Sequence, residues 1–407
     1  MFLGIAAAGV LVMAAASPAQ AEAQLLIEAA TGKVLHAENA TYPWYPASVT
    51  KLMTAYTTLR AIKEGKVSFD TLLTMSRNAV AQQPTKMGLQ LGARVTIDNA
   101  LKMLMVKSAN DVAVAIAEGV GGSIEGFADM MNANSRRLGM SQSNFVNPNG
   151  LPAENHVTSA RDLGILARAV IREFPESDFY WHISAIQYGS RTLRNYNSLI
   201  DRYPGADGMK TGFICASGYN VVASATRNGR RLIAVILGAY SGAVRAQKAA
   251  QLFERGFSSG GLSWLTPTLG TVDALAPIDA QPPNLREEMC GGHRRKPPSE
   301  ENEEEEAPTT SAAAASGESD SGQTFMLSGL KPANSKFVLG AAVETTPPIV
   351  VYTGPANNPD KAQTASAAPK KKRKTAAKPA ADEPAKPTKT ATPAKKAVKP
   401  KVSSAAQ

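Results

Sequence analysis

The sequence predicts a mixed α/β fold of the α+β kind, with a helical stretch enclosed between strand-like segments in one large domain over residues 22–260. Three observations carry this. Apolar residues recur with helical period through residues 97–168, and short apolar runs of strand character lie on either side, at 25–36 and 208–239. Beyond Ser258 the composition turns to Pro, Ala, Ser, Thr and charge, which cannot bury a core.

The elements follow in order. Residues 1–16 form an apolar run that ends in Ser17-Pro18, and Ala19-Gln20-Ala21 then offers a small-x-small cleavage pattern. We read 1–21 as a signal peptide, though no basic residue precedes the run, and therefore expect export to the periplasm or another extracytoplasmic space. Leu25-Leu26-Ile27 and Lys33-Val34-Leu35-His36 flank Thr31-Gly32 as two strands of a hairpin. Next, Val49, Leu52, Met53, Tyr56 and Leu59 make a helical stripe that begins just after Pro46, which puts Ser48 in a first helical turn. The helical middle breaks at residues 119–122 and at Asn147-Pro148-Asn149-Gly150. Strands return at 208–214, 219–226 and 231–239, with Asn228-Gly229 as a tight hairpin turn, and a helix over 244–257 closes the domain. Residues 261–368 read as a mostly disordered linker and 369–407 as a Lys/Ala/Pro-rich basic tail.

Charge and composition exclude several functions. The chain has a formal net charge of +10, and residues 369–407 alone carry twelve Lys/Arg against two acids, so the rest is neutral. The basic character belongs to the tail, which argues against a nucleic-acid groove on the folded domain. Four scattered His and two Cys at no ligand spacing leave no expected metal or cofactor. Cys215 lies inside the domain and Cys290 in a polar stretch, a separation that argues against a structural disulfide.

The chemistry is carried by Ser48-Val49-Thr50-Lys51, Ser108-Ala109-Asn110 and Lys210-Thr211-Gly212. Singly these are weak, since Ser328–Lys331 and Ser76–Asn78 repeat two of the patterns by chance. Their contexts give them weight: a helix start, a turn between two helices, and a strand. A serine hydroxyl needs a base, and three residues along a helix puts Lys51 on the face of Ser48. For that role Lys51 must lose its proton near neutral pH, which burial and a second cation, Lys210, would favour. The backbone N–H groups of Ser48 and Phe213 suit an oxyanion hole. Ser108 can relay a proton to the leaving amine, the Asn110 carboxamide can bind a substrate peptide group, and Lys210 with Thr211 can hold a free C-terminal carboxylate. Arg194 and Arg245 are the next candidates for that carboxylate.

Tyr45-Pro46-Ala47-Ser48-Val49-Thr50-Lys51-Leu52-Met53-Thr54, Lys107-Ser108-Ala109-Asn110-Asp111 and Asp207-Gly208-Met209-Lys210-Thr211-Gly212-Phe213 resemble the low-molecular-mass penicillin-binding proteins, the D-alanyl-D-alanine carboxypeptidase family. Phe145-Val146-Asn147-Pro148-Asn149-Gly150-Leu151 and Gly218-Tyr219-Asn220 match it too, and the resemblance runs from about residue 25 to 257. It implies the penicillin-binding, serine β-lactamase-like fold, a five-stranded antiparallel sheet flanked by helices beside an all-helical subdomain. It also implies Ser48 as acylating nucleophile, Lys51 as base, Ser108 as relay and Lys210 as carboxylate contact. The substrate would be the peptidoglycan stem peptide, and β-lactam antibiotics would act as covalent inhibitors.

Two departures and two alternatives complete the reading. Prolines are too frequent in the tail for an amphipathic membrane helix, so a charge-based contact with anionic wall polymer or lipid is expected instead. A serine β-lactamase would share the three elements, but no Glu-x-x-Leu-Asn lies between Asn110 and Lys210, so slow deacylation of penicillin is expected. A non-catalytic wall-binding protein is the other alternative, and the intact Ser48, Lys51, Ser108 and Lys210 argue against it.

Overall fold

The computed structural model describes residues 22–258, 269–292, 339–340, 342 and 346–354. The expected signal peptide and the basic tail lie outside the described residues. The sheet comes first: β1 (Ala23–Glu28) pairs antiparallel with β2 (Val34–Glu38) through the expected hairpin. A 3-10 turn, Ala47–Val49, leads into α1 (Thr50–Lys63). A small hairpin follows, β3 (Leu72–Thr74) and β4 (Arg94–Thr96), with α2 (Arg77–Val80) between its strands. The pattern did not predict it, because three-residue strands carry no readable alternation.

The helical stretch is α3 (Ile97–Val106), α4 (Asn110–Gly121), α5 (Ile124–Leu138) and α6 (Ala160–Glu173). Its boundaries are written in short-range chemistry. Thr96, Ser123 and Ser159 accept from Asn99, Gly126 and Asp162 backbone N–H groups as N-caps, and left-handed Gly122 and Gly139 close α4 and α5. The sequence break at 119–122 is thus the α4–α5 junction.

After α6 come β5 (Ala185–Tyr188), β6 (Arg191–Arg194) and α7 (Leu199–Arg202), then the long strands β7 (Ala206–Ile214), β8 (Gly218–Arg227) and β9 (Arg230–Ala239). The main sheet runs β2-β1-β9-β8-β7, all antiparallel, which matches the five strands expected. Asn228 and Gly229 both have positive φ, as their hairpin turn requires. Alternation along the strands supplies two apolar faces. Leu25, Ile27, Val222, Ile233, Val235 and Leu237 face the helical side, where α1 and α6 lie. Leu26, Ala223, Leu232, Ala234 and Ile236 meet Ala246, Ala249, Leu252 and Phe253 of α8 (Gly242–Ser258). Strand β7 forms one edge of the sheet.

The polypeptide does not leave the domain at 260. Val272, Leu285 and Met289 are buried against the main core, Leu285 just before α9 (Arg286–Cys290) and Met289 within it. Cys290 is bonded to Cys215, joining two positions 75 residues apart in the sequence. The expectation of unpaired cysteines was therefore wrong. The polar composition around 290 concealed three apolar anchors that bring the two sulfurs together, and sequence separation is no obstacle once they pack. Farther on, β10 (Ile349–Val350) pairs parallel with β5, so one apolar piece of the expected linker joins a three-stranded sheet.

Candidate active site

The nucleophile candidate sits where three backbones converge. Ala47 has φ +50° and Ser108 φ +57°, left-handed values that cost a non-glycine residue roughly 1–3 kcal/mol each and are sustained by what surrounds them. Around Ala47 the surroundings are explicit. Asn220 of β8 donates Nδ2 to the carbonyls of Tyr45 (3.0 Å) and Pro46 (3.1 Å) and accepts at Oδ1 from the Gly238 N–H, locking the turn to the sheet. On the other side Gly150 presses on the same turn, and a Cβ there would stand 1.8 Å from the Ala47 oxygen.

Strand β7 approaches from the sheet edge. A Cβ on Gly212 would lie 2.7 Å from the Ser48 nitrogen and 2.8 Å from that of Val49, so only glycine lets the strand backbone come this close. The expected pair of oxyanion donors, Ser48 N–H and Phe213 N–H, thus belongs to two segments in backbone contact. Ser48 itself is half-buried and reachable from the cleft.

Lys51 is fully buried beneath it. Its Nζ lies 2.9 Å from Ser48 Oγ, 2.7 Å from Asn110 Oδ1 and 2.7 Å from the Asn149 carbonyl oxygen. The last two partners only accept. A neutral amine has two N–H groups and one lone pair, so donating to Asn110 and Asn149 turns the lone pair toward the Ser48 hydroxyl. The helical spacing predicted the Ser48–Lys51 contact. Asn149, whose carbonyl is one of the lysine's acceptors, was visible only as part of a turn signal, since backbone acceptors leave no residue-type signature.

Asn110 differs from the expected substrate amide. Its Oδ1 is taken by Lys51 and its Nδ2 donates to the Gln83 carbonyl at 2.9 Å, so its first task is to orient the lysine. The loop that carries Gln83 was missed by sequence reasoning. Thr85 Oγ1 donates to the Ser108 carbonyl, and the Asp111 carboxylate accepts from the N–H groups of Met87 and Gly88, which holds residues 83–88 along the cleft. A signal existed in Asp111, a buried carboxylate in the first turn of α4 that needed donors from outside its own helix.

Two hydroxyls have no hydrogen-bond partner among the described residues despite complete burial: Ser108 Oγ and Thr211 Oγ1. Buried polar groups are rarely left so, and both belong to residues expected to meet substrate. Lys210 is 2 % exposed and donates to the Thr211 carbonyl at 2.9 Å. Of the alternative cations, Arg245 is buried, donates to the carbonyls of Asn220 and Tyr196 and lies over the Tyr219 ring. Arg194 is exposed on β6 and lines a different cavity with Ser184 and Asp201.

The cleft measures about 320 Å³ and is walled by Ser48, Thr85, Asn110, Leu151, Phe213 and Arg286 among others. Beside it His156 is buried. It meets Thr50 Oγ1 at Nε2 and accepts from the Val146 N–H at Nδ1, and burial pushes its imidazole down to about 4, so it is neutral and structural. Among the described residues no cluster of His, Cys, Asp and Glu is arranged to hold a metal ion.

A family model for D-alanyl-D-alanine carboxypeptidase, peptidase S11, matches residues 11–241. The D-alanyl-D-alanine carboxypeptidase DacA of Haemophilus influenzae is 34% identical over 250 residues, 60% of this chain and 64% of that protein. The chain thus spans somewhat less than two thirds of such relatives' length. The crystal structure of the D-alanyl-D-alanine carboxypeptidase DacD from Francisella tularensis superimposes with a TM-score of 0.57 at 30% identity, over 62% of this chain and 74% of that one. Penicillin-binding protein D2 from Listeria monocytogenes, solved in its ampicillin-bound form, gives 0.52 at 28% identity, over 58% and 96%. The matched region holds all three backbones that meet at Ser48, together with the lysine beneath it. The chain belongs to the D-alanyl-D-alanine carboxypeptidase family.

Proposed function

We propose that this chain is a serine-type D-alanyl-D-alanine carboxypeptidase that removes the terminal D-Ala from peptidoglycan stem pentapeptides through an acyl-enzyme on Ser48. The observation that carries the reading is the buried Lys51 Nζ held 2.9 Å from Ser48 Oγ and 2.7 Å from both Asn110 Oδ1 and the Asn149 carbonyl oxygen, an arrangement in which a neutral lysine would present its lone pair to the Ser48 hydroxyl. In the first step Lys51 takes the Ser48 proton as Oγ bonds to the carbonyl carbon of the penultimate D-Ala. The developing oxyanion accepts from the N–H groups of Ser48 and Phe213. The proton that Lys51 took passes through the Ser108 hydroxyl to the departing amine as the C–N bond breaks, which leaves Lys51 neutral again, and Lys210 and Thr211 hold the carboxylate of the leaving D-Ala. Water then attacks the ester while Lys51 accepts its proton, the bond from the acyl carbon to Ser48 Oγ breaks, and Lys51 returns that proton to Oγ, which regenerates the Ser48 hydroxyl.

A β-lactam would acylate the same oxygen and deacylate slowly, a reading supported by the ampicillin-bound neighbour. The Cys215–Cys290 bond favours an oxidising compartment and so supports the expected export to the periplasm. The tail's contact with anionic wall or lipid stays a proposal on charge alone, and wall binding that ignores both salt and deletion of residues 369–407 would remove it. The main experiment is labelling with a fluorescent penicillin together with product analysis on a stem pentapeptide. Wild type should label covalently and release one D-Ala, and Ser48→Ala should do neither. Labelling of Ser48→Ala equal to wild type would take the nucleophile's role from Ser48.

A further inference from the structure

Arg286 reaches the cleft from outside the part of the chain that the family model matches. It stands at the start of α9, beyond the matched residues 11–241, yet it lines the same cleft as Ser48, Phe213 and Cys215. Its position is fixed twice over. The Leu285 N–H donates to the Ala216 carbonyl at 3.0 Å, and Cys290 at the other end of the short helix is bonded to Cys215, two residues past Phe213. The Asn284 side chain accepts from the Arg286 backbone N–H. Arg286 is exposed, lines the cleft, and its guanidinium makes no hydrogen bond or ion pair among the described residues, so its five donors remain to be met by a ligand.

Its place along β7 identifies what it would meet. On the proposed reading, Lys210 and Thr211 take the leaving group's carboxylate and Phe213 the scissile carbonyl. An extended peptide laid on the edge of β7 therefore continues on its acyl side past Ile214 and Cys215, advancing about 3.3 Å per residue. One or two residues upstream of the cleaved bond it comes under Arg286. We propose that Arg286, clamped at the cleft mouth by the Cys215–Cys290 bond, is a specificity-determining residue that reads a carboxylate carried one or two residues upstream of the scissile bond. A guanidinium fork suits a carboxylate in particular, since it can donate two parallel N–H groups to its two oxygens.

This inference rests on the proposed activity, and the test separates the two. Two synthetic peptides ending in D-Ala-D-Ala, identical except that the upstream side chain is a carboxylate in one and its carboxamide in the other, are compared by kcat/KM. Wild type should prefer the acid by about threefold to fivefold at low salt, the size of an exposed ion pair, and the preference should vanish near 1 M salt, where screening acts within about 3 Å. Arg286→Ala should bring the ratio close to one, and Arg286→Lys should keep part of it. No preference in wild type, or an undiminished preference in Arg286→Ala, would overturn the assignment. If wild type cleaves neither peptide, the carboxypeptidase reading falls. Acylation by penicillins with carboxylated and uncharged side chains then decides Arg286 by the same ratio.

Discussion

Replacing Asn110 by aspartate changes one atom of the lysine's surroundings and should reverse its chemistry. The Asn110 Oδ1, a neutral acceptor 2.7 Å from Lys51 Nζ, becomes a carboxylate beside a fully buried amine. A unit charge pair at about 4 Å is worth roughly 4 kcal/mol at an effective dielectric of 20, equivalent to about three pH units. Allowing for some loss of the Gln83 contact, we expect the limb of the acylation profile that reports the neutral lysine to move up by about two pH units. Acylation at pH 7 should then fall about a hundredfold and recover in part at high pH. Asn110→Ala, which removes an acceptor but adds no charge, should cost about 1–3 kcal/mol in the acylation barrier with a smaller movement of the limb. The assay is the second-order rate of labelling by a fluorescent penicillin from pH 5 to 10. Aspartate and alanine variants with the same profile as wild type would mean that Lys51 is not the base.

Three further outcomes follow from the site and its supports. Lys210→Ala should lose most of its preference for a free terminal carboxylate over the amide, because substitution and amidation remove the same contact. A steady-state comparison of the two substrates in both proteins checks this, and an unchanged preference would transfer the carboxylate to another residue. His156 is held neutral to about pH 4 in the fold, whereas in the unfolded chain it protonates near 6.5, so unfolding takes up a proton between those values. Stability should therefore fall by up to about 3 kcal/mol as pH drops from 6.5 to 4, and denaturant titrations should show a shallower decline in His156→Gln. Gly150→Ala places a Cβ into the Ala47 oxygen at a φ of +83°, and should cost more than about 2 kcal/mol in unfolding free energy and slow acylation by moving the Asn149 carbonyl. Wild-type stability and rate in that variant would show that the turn yields freely.

The parts of the fold that were legible in sequence are those with long, regular patterning. The strands around Asn228-Gly229 announced themselves as continuous apolar runs because both their faces are buried, and the amphipathic helices because burial on one face repeats at every third and fourth residue. The Ser48–Lys51 pair was legible for the same reason, since the helix fixes its spacing. What escaped depends on contacts between distant segments. The 83–88 loop, the Asn149 carbonyl and Arg286 enter the site only when α4, the 147–150 turn and α9 have docked, and none of these contacts has a local period. The disulfide was misjudged because the segment around Cys290 was weighed by composition, whereas three residues, Val272, Leu285 and Met289, decide where it goes.

That segment also determines where the protein can be cut. A chain ended after α8 would uncover the core surface on which Val272, Leu285 and Met289 pack, and would leave Cys215 as a lone thiol on the wall of the cleft that Ser48 also lines. Such a fragment is liable to couple to a second copy through that sulfur or to react with thiol reagents that leave the full chain untouched. Blockage of its cleft by alkylation would then mimic inhibition at Ser48. A fragment that keeps the native wall of this cleft therefore retains at least the residues through 292, and ligand screening on anything ending before Cys290 would select for chemistry aimed at the Cys215 thiol.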